Sequence, residues 1–253
     1  MSKSSGRKGR KDTTVHSSRA RTLGALAAGL ALTLAVVLLR PRPSPNLLLI
    51  TIDTLRADHV GAYGDRQAET PVLDALASRG ARFAQALSTA PLTGPSHATI
   101  LTGTYPPVHG VRDNATFVLG SAHPTLATIL KGRGYATAGV VAGLPLVGAF
   151  GFSQGFATYD ESFHETVGVP GDVKRPGNEV ADAVARFFAT HPRSPFFVWA
   201  HLYDPHAPYE PPAPYRERFP GRPYDGEIAF ADAQVGRILE SLRAEGALEK
   251  TIV

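Results

Sequence analysis

The stretch NLLLITID, Asn46–Asp53, decides the fold. From Leu47 to Ile52 every side chain is aliphatic except Thr51, with no polar alternation. An apolar run of this length predicts a strand covered on both faces, as in a parallel sheet flanked by helices. A carboxylate, Asp53, follows at once. The carboxyl end of a central strand is where open α/β sheets build their sites. Asp53 therefore reads either as a ligand for a hard cation or as a cap for a turn or helix.

Downstream the pattern alternates. Thr70 followed by Pro71 marks a helix start, with Thr70 as its cap, and Gly80 marks its end. A short strand is expected over Arg82–Leu87. Gly94-Pro95 reads as a tight turn, with a helix from Ser96 that ends at Gly103. Thr125–Lys131 reads as helix, Tyr135–Val141 as strand, Asn178–Thr190 as amphipathic helix, Phe196–Leu202 as a second buried strand and Asp225–Ala244 as helix. Thr251-Ile-Val253 reads as the start of a further strand, and a chain that stops there is expected to be truncated. Strands separated by helices give an α/β class with a mostly parallel central sheet flanked by helices.

Upstream the composition changes. Residues 1–42 hold nine Lys and Arg against the single acid Asp12, whereas the rest holds 17 basic and 21 acidic residues. The overall charge of +4 thus belongs to the tail. A mildly acidic domain gives no sign of a nucleic-acid footprint. Residues 1–21 read as a basic cytoplasmic tail. Residues 22–39 are 18 uncharged residues, TLGALAAGLALTLAVVLL, and read as a transmembrane signal anchor. The positive-inside rule puts the tail in the cytoplasm and everything after Arg40 outside it, in a single-pass protein of the cell membrane. Residues 40–45, with Pro41, Pro43 and Pro45, form a stiff linker to a domain spanning 46–253. There is no cysteine, so disulfides, thiolate metal sites and a thiol nucleophile are excluded.

Two more segments carry chemistry. In APLTGPSHATILTG, Ala90–Gly103, Thr93 is expected just before a helix N-terminus, where amides and dipole favour an anion. A hydroxyl held there near a cation can attack a phosphate or sulfate ester. Alternatively Thr93 or Ser96 caps the helix. In WAHLYDPHAPYEPP, Trp199–Pro212, His201 ends a buried strand and His206 sits in a Pro-rich loop. Histidines at such a place can contact an anion or protonate a leaving group.

Together ITIDTLRADHVGAYG, TPVLDALASRGARFAQALSTAPLTGPSHATILTGTYPPVHG and HLYDPHAPYEPP resemble the N-terminal domain of sulfatases, of the alkaline phosphatase superfamily, from about Asn46 onward. The resemblance implies a central mixed sheet flanked by helices, with a divalent cation (calcium, magnesium, manganese or zinc) at its carboxyl edge. It makes Asp53 the first metal-binding aspartate and puts Thr93 at the formylglycine position. His206 becomes a contact to the ester group, and His109 a recurrent position. Four positions depart from the family pattern. Thr93 replaces Cys or Ser, Thr54 replaces a second aspartate, His97 replaces an arginine, and Ala142-Gly-Leu-Pro145 replaces Gly-Lys-Trp-His. A threonine nucleophile is what related phosphodiesterases and phosphoglycerol or phosphoethanolamine transferases use. The resemblance places further metal ligands beyond Val253, so a single carboxylate is expected to bind a cation weakly and this stretch alone to be inactive. Two readings stay open: a membrane-anchored hydrolase of a sulfate or phosphate ester, and a non-catalytic binding or structural module.

Overall fold

The computed structural model describes residues 44–165, 173–191 and 195–253. The basic tail and the proposed anchor lie outside the described residues. Within Pro45–Val253 five strands form one sheet, β1 (Asn46–Ile52), β2 (Ala136–Val140), β3 (Thr158–Asp160), β6 (Phe196–Leu202) and β7 (Thr251–Ile252), in the order β3-β2-β6-β1-β7. Every pairing in it is parallel, where the resemblance implied a mixed sheet. A two-stranded antiparallel ladder, β4 (His164–Glu165) with β5 (Val173–Lys174), stands apart from it.

The helices are α1 (Pro71–Arg79), α2 (Thr93–Thr102), α3 (Pro106–His109), α4 (Leu126–Gly132), α5 (Gly177–Thr190), α6 (Tyr215–Arg218) and α7 (Pro223–Ala244). They cover both sheet faces, as the two-sided apolar strands require. Because strand side chains alternate, Val198 and Ala200 of β6 face one way, packing with Val184 and Phe188 of α5 and Ile238 and Leu242 of α7. Phe197 and Trp199 face the other way, with Ala98 and Leu101 of α2, Leu130 of α4 and Phe152. The same parity sends His201 to the α2 side. Asn46 ties the strand starts together, accepting from the Phe196 amide and donating to Thr251 Oγ1, each at 3.3 Å.

Three expectations are corrected. Arg82–Leu87 is not a strand but an irregular loop, with Phe83 72% and Leu87 93% exposed; among the described residues no strand pairs with it, and a strand needs a partner for its backbone groups. Thr70 does not cap α1 through its side chain. The carboxylate of Asp232, far away on α7, accepts from the Val72 and Leu73 amides at 3.1 and 2.8 Å, and the Thr70 hydroxyl accepts from the Gly61 amide instead. Finally, α2 begins at Thr93 rather than Ser96, with Gly94 and Pro95 in its first turn; proline fits there because first-turn amides have no partner within the helix.

Candidate functional site

Strand parity and parallel register build the site. Thr51 pairs with His201 and Ile52 with Leu202, and the next residue, Asp53, fastens its amide to the Leu202 carbonyl at 2.9 Å. Asp53 and His201 thus arrive side by side at the carboxyl ends of two central strands. α2 lies on the same face and brings Thr93 to them.

The Thr93 hydroxyl donates to Asp53 Oδ2 at 3.0 Å, both residues being buried. This bond engages the Thr93 hydroxyl away from the helix amides. The cap position of α2 belongs to Leu92, with no side-chain cap, and Ser96 Oγ donates to the Thr93 carbonyl. Neither hydroxyl caps the helix. Beyond Thr93 itself, the first-turn amides are engaged or absent. Gly94 donates to Asn114 Oδ1 at 2.8 Å, Pro95 has no amide hydrogen, and Ser96 closes on the Leu92 carbonyl. Asn114, which nothing in the sequence singled out, is the residue that pins the turn carrying Thr93.

His97 and His201 form a stacked pair, with ring centroids 4.8 Å apart and planes 12° apart. Each donates Nδ1–H to a backbone carbonyl, His97 to Thr93 at 2.8 Å and His201 to Leu202 at 3.2 Å. Each therefore presents a bare Nε2, and both of those atoms are buried without a hydrogen-bond partner. Burial pushes both imidazoles below their ordinary pKa, His201 well below it, with the neighbouring His97 adding to the effect on His201. His97 is held back in part by its bond to the Thr93 carbonyl and by the Asp53 charge. A fully buried His201 does not line the cleft, so it is not placed to touch an anion there or to protonate a leaving group.

The cleft above Thr93, about 680 Å³, is lined by Asp53, Thr54, Thr93, His97, Asn114 and His206 among others. No lysine or arginine is among its lining residues. His206 is half-buried, stacked on Tyr203 at 4.3 Å, and donates Nδ1–H to the Ala207 carbonyl at 2.7 Å, which leaves Nε2 as its outward-acting atom. Thr54, in the left-handed region at φ 51°, gives its hydroxyl to the Pro205 carbonyl at 3.1 Å and so ties the β1 end to the loop that carries His206. His109 lies elsewhere, its ring bonded to Thr99 Oγ1 and to the Val111 amide; its role there is to brace α2 against α3. A cavity of about 710 Å³ flanks Leu48, Ile50, Leu76 and Leu239 and is mainly aliphatic, so the chemistry rather than the size picks out the first cleft.

The site is thus a carboxylate, a hydroxyl and imidazoles gathered at the carboxyl edge of an open parallel α/β sheet, where such sheets build their sites. The sulfatase family model matches residues 45–253. Steryl-sulfatase of Mus musculus is 42% identical over 132 residues, 45% of this chain and 21% of its own length. Arylsulfatase A of Homo sapiens is 28% identical, over 90% of this chain and 53% of its own. In fold, phosphonate monoester hydrolase of Agrobacterium radiobacter aligns with TM-score 0.69 at 21% identity, over 82% of this chain and 61% of that one. The chain belongs to the sulfatase family. It spans about half, or less, of the length of these curated relatives.

Proposed function

We propose that this protein hydrolyses a sulfate or phosphate ester, with Thr93 as nucleophile. The observation that carries the reading is the buried hydrogen bond from Thr93 Oγ1 to Asp53 Oδ2 at 3.0 Å. A hydroxyl is a weak nucleophile at its ordinary pKa and needs a neighbour to receive its proton or lower that pKa. Asp53 is in contact to do so. His206, which lines the same cleft, would give a proton to the departing alcohol through Nε2. The Gly94–Asn114 bond and the His97–Thr93 bond hold the nucleophile's turn in place. The names of the relatives favour a sulfate ester. Threonine, which cannot become formylglycine, favours direct attack by the hydroxyl, which is at home on phosphorus.

The family calls for a divalent cation at this edge. Among the described residues no three His, Asp or Glu side chains surround one point. In kind, however, the donors fit: Asp53 offers a carboxylate, Thr93 a hydroxyl beside it, and His201 a bare buried nitrogen 3.6 Å from Asp53 Oδ2. Asp53 would hold the cation. When bound, the cation would supply charge stabilisation for the ester oxygens and favour the ionised hydroxyl, in a cleft whose lining residues include no cationic side chain.

We also propose that residues 22–39 anchor the domain outside the cytoplasm, as the basic tail before them and the uncharged run imply. Arginine at two of the leucines in Leu30–Leu38 adds about 2.5–3.5 kcal/mol each to insertion and is expected to move the protein to the soluble fraction. Wild-type protein found there with its N-terminus intact would rule the anchor out. The reaction itself is tested by assaying aryl sulfates and aryl phosphodiesters with wild type and Thr93→Ala. Turnover by wild type alone supports the reading, and equal turnover by both defeats it.

A further inference from the structure

Thr54 is a β-branched residue held in the left-handed region, at φ 51°. Such a conformation is strained, persists where the surroundings over-determine it, and is found disproportionately at active sites. Thr54 directly follows Asp53, so whatever fixes its backbone also aims that carboxylate. On the strand side Asp53 is fastened through its amide to the Leu202 carbonyl at 2.9 Å. On the turn side the hold comes from Tyr224, in the first turn of α7 and 170 residues along the chain. The Tyr224 hydroxyl donates to the Thr54 carbonyl at 2.7 Å and accepts from the Arg56 amide at 3.0 Å. We propose that Tyr224 is a positioning residue for the hydrolysis, its hydroxyl clamping the strained turn after Asp53 so that the carboxylate stays within reach of Thr93.

The surroundings of the ring agree with this role. A phenol can give one hydrogen bond while accepting another, and here the two go to successive parts of one turn. The same ring also meets the other lip of the cleft. Tyr209, on the loop that carries His206, packs edge-on against it, with centroids 5.2 Å apart. His59, beyond the clamped turn, meets it edge-on at 5.0 Å and gives Nδ1–H to Asp225 Oδ1 at 2.6 Å. Glu227 Oε1 accepts from the Glu210 amide at 2.8 Å. The start of α7 thus grips both the loop after Asp53 and the loop that carries His206. The rest of α7 is rooted in the core through Val235, Ile238 and Leu242, which makes it a fixed support. Tyr224 is not among the residues that line the cleft, so it acts through the turn and not on the ester.

The inference deepens the hydrolase reading and rests on it. Wild type, Tyr224→Phe and Thr93→Ala are compared in the full chain, with aryl sulfates and aryl phosphodiesters as probes. Tyr224→Phe keeps the ring against Tyr209 and His59 and removes only the clamp. Misplacement of a reacting group by an ångström or less lowers the rate steeply, so kcat is expected to fall by about tenfold to a hundredfold. KM should stay within about twofold of wild type, because no contact to the ester is lost. The clamp is also read without turnover, from hydrogen exchange of the Arg56 amide followed by NMR. That exchange should quicken by about fivefold in Tyr224→Phe, when the amide loses its acceptor. A wild-type kcat in Tyr224→Phe, a change confined to KM, or an Arg56 amide exchanging at the wild-type rate would each overturn the inference. Thr93→Ala inactive, with Tyr224→Phe as fast as wild type, would sink this inference and leave the reaction standing. Turnover equal in wild type and Thr93→Ala but lowered in Tyr224→Phe would remove Thr93 as nucleophile and leave Tyr224 as the support of Asp53.

Discussion

Two stretches of the same sheet edge have opposite character. At the ends of β1 and β6 stand Asp53 and His201, with Thr93 and His97 brought over them by α2. At the end of β2 stands Ala142-Gly-Leu-Pro145, where the family resemblance leads one to expect a lysine and a histidine. Ala142 is buried, Leu144–Leu146 coils into a 3-10 turn, and the Tyr203 ring lies against Gly143 so closely that a Cβ there would sit 3.0 Å from it. The polar chemistry is thus concentrated on one side, and the other side is closed by packing. No lysine or arginine is among the lining residues of this cleft, so in the proposed reaction the charge stabilisation of an anionic ester would fall to the cation that Asp53 would hold.

The largest effect is expected where the polar side is densest. Thr93→Ala should lower turnover by more than about 10⁴-fold, as removal of a nucleophile does in other hydrolases. Its melting temperature should stay close to wild type, because the hydroxyl caps no helix. Asp53→Asn keeps an oxygen near Thr93 but removes the charge that receives its proton; initial rates should fall by about 10²–10⁴-fold. A variant that kept its rate would show that Asp53 only holds the hydroxyl in place.

The apolar side is sharpened by trying to restore what is missing. Gly143→Lys would put a side chain against Tyr203, and overpacking of that kind costs about 1–3 kcal/mol. Urea denaturation should show the loss, with no gain in affinity for inorganic sulfate. A stable variant that bound sulfate more tightly would mean that the β2 end is a vacant subsite and not a packed one.

The smallest effect is expected away from both strand ends, at the Asp232 cap of α1. Burial raises the pKa of this carboxyl, against the opposing pull of the Leu73 and Val72 amides. The folded protein therefore holds the proton to higher pH than the unfolded chain does. This contribution to stability is full below the ordinary aspartate range and is lost as pH rises through the raised value. Asp232→Asn should flatten that part of the profile and cost about 1 kcal/mol through the weakened cap. Thermal melts across the acidic range provide the check.

How much was legible in the sequence follows from range. The apolar runs Asn46–Ile52 and Phe196–Leu202 and the periodic helix Gly177–Thr190 are local signals, and they stand where the pattern puts them, within a residue. The edges of the site were legible for the same reason: Asp53 and His201 each end such a run. What the pattern could not carry was partnership. The cap on α1 comes from a carboxylate 159 and 160 residues away, and Asn114 holds Gly94 from a segment with no motif. The strand expected over Arg82–Leu87 has no neighbouring strand to pair with among the described residues. The burial of His201 was within reach, since its parity with Phe197 and Trp199 sends it to the covered face. Its stacking on His97 was not, because it depends on where α2 lies.

In the proposed reaction Thr93 attacks the ester and carries its acid group before water releases it. The most direct test is to quench a reaction of the protein with an aryl sulfate or aryl phosphodiester in acid and map the modified peptide by mass spectrometry. A sulfo or phospho group is expected on Thr93 and is expected to be absent from Thr93→Ala. Turnover with the group on Ser96 or any other residue, or undiminished turnover in Thr93→Ala, would contradict it.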